Sequence, residues 1–304
     1  ANILTRNMII YGQGAIRCHP FVLAELQAAG LEDERAAVTA FDRALFGHIG
    51  FSISNFFRAL WLGLSNSAFS ASPYADATAK YYKQMNRYSA ALALMSDVAM
   101  GTMGGDLKRR ERISARLGDM LSMLYLTSSV LKRFNDDGRP AQDLPLVQWA
   151  CEDNMYKAQV ALDEMLDNFP NRIVGSVLGK LLFPWGRTLR KPSDQLDHQV
   201  SRIMQTPCEA RSRLATNVYL TLEPNNQIGL IEKALTDILA AEPIFDKVVH
   251  AANKRLPFFR LHEVAALGLE LGVITEAEAE KLRVAEQGRL HTINVDDFDP
   301  LELA

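Results

Sequence analysis

Apolar residues recur every three or four positions through most of the chain, the spacing that lines side chains along one face of a helix. Ile3, Leu4, Met8, Ile9 and Ile10 open the pattern and predict a helix over residues 2–13 that stops near Gly12 and Gly14. A second runs from Pro20, well placed at a helix start, to Gly30. Leu45, Ile49, Ile53, Phe56, Leu60 and Leu64 predict an amphipathic helix over 44–64, with His48, Ser52, Asn55 and Arg58 on its other side and Gly47, Gly50 and Gly63 as weak points. After the loop SNSAFSASPY, residues 81–103 resume helical character up to Gly104 and Gly105. Two long faces follow. Ile113, Leu117, Met120, Leu121, Leu124, Leu131 and Phe134 mark a helix over 106–135, closed by the turn NDDGRP. Val147, Cys151, Met155, Ala158, Leu162, Met165 and Phe169 mark another, ended by Pro170. Their lengths suit antiparallel bundle partners.

Beyond Pro184 the predicted helices shorten, to 193–205, 208–221, 226–241, 243–253, 260–271 and 275–288, with prolines at 184, 192, 207, 224, 243 and 257 between or beside them. No β-branched alternating run appears, and no internal repeat. The expected fold is therefore all-α: a bundle of long antiparallel helices over 1–190, then an extension of shorter helices over 191–304. The acidic tail INVDDFDPLELA has low helix propensity around Asp299 and Pro300 and is expected to lie extended over the surface.

A 48% hydrophobic share supplies a sizeable core, and a net charge of -3 gives no global attraction for nucleic acid. Any anionic partner must meet a local cluster. Cys18, Cys151 and Cys208 are too few and too scattered for a disulfide framework or a zinc knuckle, which suits a reducing cytosol. The first residues lack an initiator methionine and are apolar from Ile3 onward, so the natural polypeptide is expected to extend upstream.

The chain contains no phosphate loop followed by lysine, no GxSxG and no HExxH. Gly12-Gln13-Gly14 lacks a preceding strand and reads as a helix end. The six histidines are isolated in sequence, the nearest pair twelve residues apart, and each is expected to be structural or superficial. Glu152-Asp153 and Asp163-Glu164 diverge around a helix and cannot act on one substrate atom. The doublets Tyr81-Tyr82 and Phe258-Phe259 read as packing residues. Composition and spacing offer no nucleophile, base or metal site. One stretch exceeds background: residues 172–191 hold five basic residues and no acidic one, among Ile173, Val174, Val177, Leu178, Leu181, Leu182, Phe183 and Trp185. This combination suits an anionic bilayer surface, with Lys180, Trp185, Arg187, Arg190 and Lys191 as its contacts, and equally suits a core helix with a basic rim. The 44–64 helix, with Phe56, Phe57 and Trp61, has an apolar face that fits either bundle core or a membrane surface; His48, Asn55 and Arg58 keep it from spanning one.

The opening ANILTRNMIIYGQGAIRCHP, with TPCEARSRLATNVYL and the ending VDDFDPLEL, resembles the C-terminal region of the large proteobacterial long-chain acyl-CoA dehydrogenases of fatty-acid β-oxidation. The resemblance spans essentially the whole chain. In that family a Glu-Gly-Ala-Asn or Glu-Gly-Thr-Asn segment leads into a helix, and Ala1-Asn2 matches its second half. The resemblance implies FAD as cofactor and a glutamate, two positions before Ala1, that removes the α-proton of the acyl thioester. No catalytic residue then lies in this chain. Ala1 and Asn2 fall beside the flavin-contacting turn and Arg6 follows on the next helix; Ala1, where many relatives carry threonine, removes a hydroxyl contact. The implied partners are long-chain acyl-CoA, the upstream catalytic portion, an electron-transfer flavoprotein or similar acceptor, a second copy in a homodimer, and the membrane surface. The implied location is cytoplasmic, peripheral on the inner face of the bacterial inner membrane. Two other readings are a non-enzymatic helical membrane-surface or scaffold module and a separate acyl-CoA-binding subunit.

Overall fold

A computed structural model describes residue 14 and residues 19–223, 225–253 and 260–295. Among these residues there are eleven α-helices and no strand. The predicted helix over 2–13, Phe258-Phe259 and most of the acidic tail lie outside the described residues. Two compact units divide the chain, residues 1–198 and 199–304.

In the first unit, α1 (Val22–Ala28) and α2 (Glu34–Leu64) precede the central helix α3 (Ala79–Met103). Helix α2 begins ten residues before the predicted 44, because Asp33 caps it: its carboxylate accepts N–H bonds from Arg35 at 3.0 Å and Ala36 at 3.4 Å. Such caps are satisfied before any tertiary contact forms, and the apolar pattern alone does not register them. A short 3-10 turn, Gly104–Arg109, separates α3 from α4 (Glu111–Asp136), so the predicted 106–135 helix starts later than its periodicity suggests. Helix α5 (Leu144–Asp167) runs back antiparallel to α4, as the lengths predict. Arg116 pairs with Glu164 at 3.2 Å near one end, while Phe134 clusters with Val147 and Cys151 near the other. The reversal passes through Gly138 and Arg139, at φ 79° and 59°.

The core gathers Tyr88, Leu94 and Met95 of α3, Leu117 and Met120 of α4, and Met155, Leu162 and Met165 of α5. Each fully buried side chain of this size contributes about 1.5–3 kcal/mol of transfer free energy. Helix α6 (Arg172–Leu182) is capped by Asn171, which accepts from the N–H of Ile173 and of Val174, and closes this core with Leu178, Leu182 and then Phe183. Helix α7 (Asp194–Gln205) follows.

In the second unit, α8 (Glu209–Leu214) is shorter than predicted, and α9 (Gln227–Ala252) runs unbroken through Pro243 where two helices, 226–241 and 243–253, are expected. Proline removes one N–H and crowds the carbonyl four residues earlier. Burial of Ala241, Ile244 and Val248 against α10 (Leu261–Glu270) and α11 (Glu276–Ile293) offsets this cost. Thr275 and Glu278 form a capping box at the start of α11. Glu286, 5% exposed, accepts from the backbone N–H of His262 at 2.6 Å.

Candidate functional site

Ala1, Asn2 and Arg6 lie outside the described residues. The first described segment of the chain enters the bundle through a cluster of polar groups that no sequence spacing announces. His19 sits in the turn before α1, Glu25 on α1, His48 and Ser52 on α2, and Asp97 on α3. His19 Nε2 lies 3.2 Å from Asp97 Oδ1, His48 Nδ1 2.8 Å from Glu25 Oε1, and His48 Nε2 3.8 Å from Asp97 Oδ1. Ser52 donates its hydroxyl to Asp97 Oδ2 at 2.7 Å. His19 Nδ1 accepts the backbone N–H of Phe21 and of Val22, both at 3.2 Å, and so caps the start of α1. Phe21 covers the cluster, stacked on His48 with ring centroids 6.2 Å apart; a Cβ on Gly47 would stand 2.4 Å from the same ring. Glycine at 47, a weak point by propensity, is what lets α1 approach α2.

His19 and His48 are separated by 28 intervening residues, and Asp97 follows on another helix. The expectation that each histidine stands alone therefore fails for this pair. Among the described residues theirs is the one group of histidine, cysteine and carboxylate donors placed to hold a metal ion, with ligand atoms within 4.8 Å of one another.

The 44–64 segment presents an inverted helix. Its polar positions His48, Ser52 and Asn55 face the protein, whereas Phe46, Ile49, Ile53, Phe57, Trp61 and Leu64 are exposed, Phe46 by 70%. Among the described residues most of this apolar face lies outside the bundle core, while Ala59 and Leu62 of the same helix join it. Trp61 stacks on exposed Phe69 at 6.0 Å, and Trp185 donates its indole N–H to the carbonyl of Leu64 at 2.8 Å. Arg58 is the only Asp, Glu, Lys or Arg between 44 and 64.

Residues 172–191 divide. Gly175, Leu178 and Leu182 pack inward, and Ile173, Val177 and Lys180 are exposed. Trp185 is 67% exposed at the end of α2. Arg187 is engaged by Asp163, with Nε 2.8 Å from Oδ1, and its guanidinium lies over Phe183. Lys191 stands 5.6 Å from the ring centroid of Tyr156, and Arg190 is exposed. The stretch is therefore neither wholly core nor wholly free surface.

Several other polar groups engage one another. Tyr81 donates to Glu152 at 2.9 Å, and burial first, then Glu152, pushes its phenol up, which keeps it neutral. A groove of about 600 Å³ between α4 and α5 is lined by Arg116, Asp119, Tyr156, Glu164 and Lys191 among others; burial, and then Glu164, raises the Asp119 carboxyl. The divergent carboxylates lie at the surface and meet cations: Glu152 pairs with Lys80, Asp153 with Lys157, Asp163 with Arg187 and Glu164 with Arg116. Such a lining does not fit a flat, largely apolar isoalloxazine. No described helix is long and apolar enough to cross a membrane.

A family model described as acyl-CoA dehydrogenase, C-terminal, bacterial type, matches residues 16–298. No solved structure matches the chain.

Proposed function

Because the chain belongs to the bacterial-type acyl-CoA dehydrogenase C-terminal family, we propose that it is the helical C-terminal part of an FAD-dependent enzyme that forms the α,β double bond of long-chain acyl-CoA. In this reading residues 1–190 are the bundle that supports the catalytic region and 191–304 are the family's extension. The match over residues 16–298 carries the reading. In this reading the catalytic glutamate and most of the flavin pocket belong to residues upstream of Ala1, and Ala1, Asn2 and Arg6 form only its edge; the charged lining of the groove between α4 and α5 is in keeping with a flavin held elsewhere. His19 and Phe21 fasten the entering chain to α2 and α3, and the exposed apolar face of α2 gives the upstream portion a surface to cover, since a patch of this extent is seldom left to water.

The polypeptide that includes the residues before Ala1 is expected to be yellow and to reduce an electron-transfer flavoprotein or similar acceptor with palmitoyl-CoA. The 304-residue chain alone is expected to do neither. Flavin bound by the isolated chain, or a colourless and inactive longer polypeptide, refutes the proposal.

A second reading, a helical membrane-surface module without activity of its own, draws on the aromatic face of α2 beside Trp185. Both readings place the protein in the cytoplasm and on the inner face of the inner membrane, with Lys180, Trp185, Arg187, Arg190 and Lys191 toward the lipid, and the enzyme reading adds a homodimer. Flotation with anionic liposomes tests the surface. Changing Lys180 and Arg190 to glutamate should weaken binding more than changing Arg187 and Lys191, which already have protein partners. Equal flotation of all variants and the parent sinks the membrane assignment.

A further inference from the structure

We infer that His19, His48 and Asp97 bind a divalent transition metal ion, with Zn²⁺ the ion that best suits two imidazoles and one carboxylate. Tetrahedral zinc holds such ligands at about 2.0–2.2 Å, which sets ligand-to-ligand edges of about 3.3 Å. The His19 Nε2 to Asp97 Oδ1 distance is already 3.2 Å, and His48 Nε2 to Asp97 Oδ1 is 3.8 Å. The remaining edge, between the two imidazoles, lies within 4.8 Å, and side-chain rotation must shorten it to close the set.

One of the two histidines already has the outer contact of a metal ligand. A ligating histidine presents one nitrogen to the metal and donates the other N–H to an acceptor, often a carboxylate. His48 is placed to do this: in the tautomer that donates Nδ1–H to Glu25 Oε1, 2.8 Å away, its Nε2 lone pair faces Asp97. At 3.8 Å that lone pair and the carboxylate are too far apart for a hydrogen bond and correctly spaced for a cation between them. Ser52 occupies Asp97 Oδ2, leaving Oδ1 as the ligand oxygen. The side chains of His19 and Asp97 are only 9% and 8% exposed. Phe51 meets His19 edge-on at 5.4 Å and Phe21 stacks on His48, so aromatic rings flank both imidazoles while His48 stays partly open to solvent.

His19 carries the structural consequence. Its Nδ1 accepts from Phe21 and Val22, so binding at Nε2 moves the proton to Nδ1 and opens both contacts. Metal binding thus exchanges the cap of α1 for a direct bond between the entering turn, α2 and α3. Three protein ligands leave one position of a tetrahedral ion for water or a further donor.

The test uses the 304-residue chain, stripped with chelator and titrated with Zn²⁺ by calorimetry and with Co²⁺ by absorption and X-ray absorption spectroscopy. One equivalent is expected to bind, with two imidazole shells around cobalt, a higher melting temperature, and faster hydrogen exchange at the amides of Phe21 and Val22. His48→Gln and Asp97→Asn should each lose at least tenfold in affinity, Ser52→Ala about tenfold, and His262→Gln, at a site in the second unit, nothing. Unchanged affinity in both His48→Gln and Asp97→Asn overturns the site. So does a wild-type cobalt spectrum without imidazole scattering, or no saturable binding, and these two readings stand even if the variants fail to fold.

Discussion

Arg87 offers the sharpest test of how the first unit is held together. It lies in the middle of α3, 4% exposed, and its guanidinium donates to the carbonyl of Leu182 at 2.8 Å and to Asn66 Oδ1 at 2.5 Å. Both partners are neutral, and burial lowers its pKa from the ordinary guanidinium value. Leu182 ends α6 and Asn66 lies in the turn after α2, so one side chain ties three segments. Arg87→Met keeps most of the apolar stem and removes both charge-assisted bonds, each contributing about 1.5–3 kcal/mol. It also relieves the desolvation of a buried ion, several kcal/mol in the opposite direction, while leaving two acceptors without their donor. The expected balance is a loss of about 2–4 kcal/mol. Arg87→Lys, which can reach one acceptor at a time, should fall between. Urea unfolding followed by circular dichroism and by tryptophan fluorescence, in a Trp149→Phe background, measures this, because Trp61 and Trp185 lie at the same junction, with the Trp185 indole bonded to Leu64. A methionine variant as stable as the parent would show that desolvation cancels the bonds, and the reasoning would fail.

Gly175→Ala puts a Cβ 2.6 Å from the Leu166 carbonyl oxygen and should cost about 1–3 kcal/mol, whereas Gly179→Ala on the same helix meets nothing within 4 Å and should gain about 0.5–1 kcal/mol; thermal melts of the pair separate crowding from propensity. In the second unit the hydrogen bond from Arg211 holds the Glu232 carboxyl below its ordinary 4.5. A depressed folded value means this stabilisation is present above the unfolded pKa and disappears as pH falls through the folded one. The stability gap between the parent and Glu232→Gln, about 1 kcal/mol for a partly exposed pair, should close between about pH 5 and pH 3, and a gap independent of pH would contradict it. Burial, then Glu152, pushes the Cys151 thiol up to about 12. In a Cys18→Ser, Cys208→Ser background the folded chain should therefore resist a thiol reagent at about pH 8 and react fully in denaturant, and rapid labelling of the folded chain would refute the burial.

Among the described residues, the sequence determined by itself the all-α class, the placing of most helices, and the family. Helical periodicity is local, and Pro170, the turn at Gly138 and Arg139, and the apolar faces of α4 and α5 can all be read without knowing a neighbour. It left less legible what local pattern does not encode. The Asp33 cap extends α2, and Pro243 is carried through α9 by packing on α10 and α11. The direction in which an amphipathic helix faces is not local either. The apolar side of 44–64 is equally visible whether it turns inward or outward, and only the tertiary structure shows His48, Ser52 and Asn55 turned in and Phe46, Phe57 and Trp61 turned out. The basic stretch behaves likewise, since Asp163 and Tyr156, on a different helix, decide which of its cations are engaged. The cluster of His19, His48 and Asp97 was beyond any reading of spacing. Its three donors lie on three elements, and metal or proton chemistry depends on distances in space that only the packing of α1 and α2 on α3 could fix.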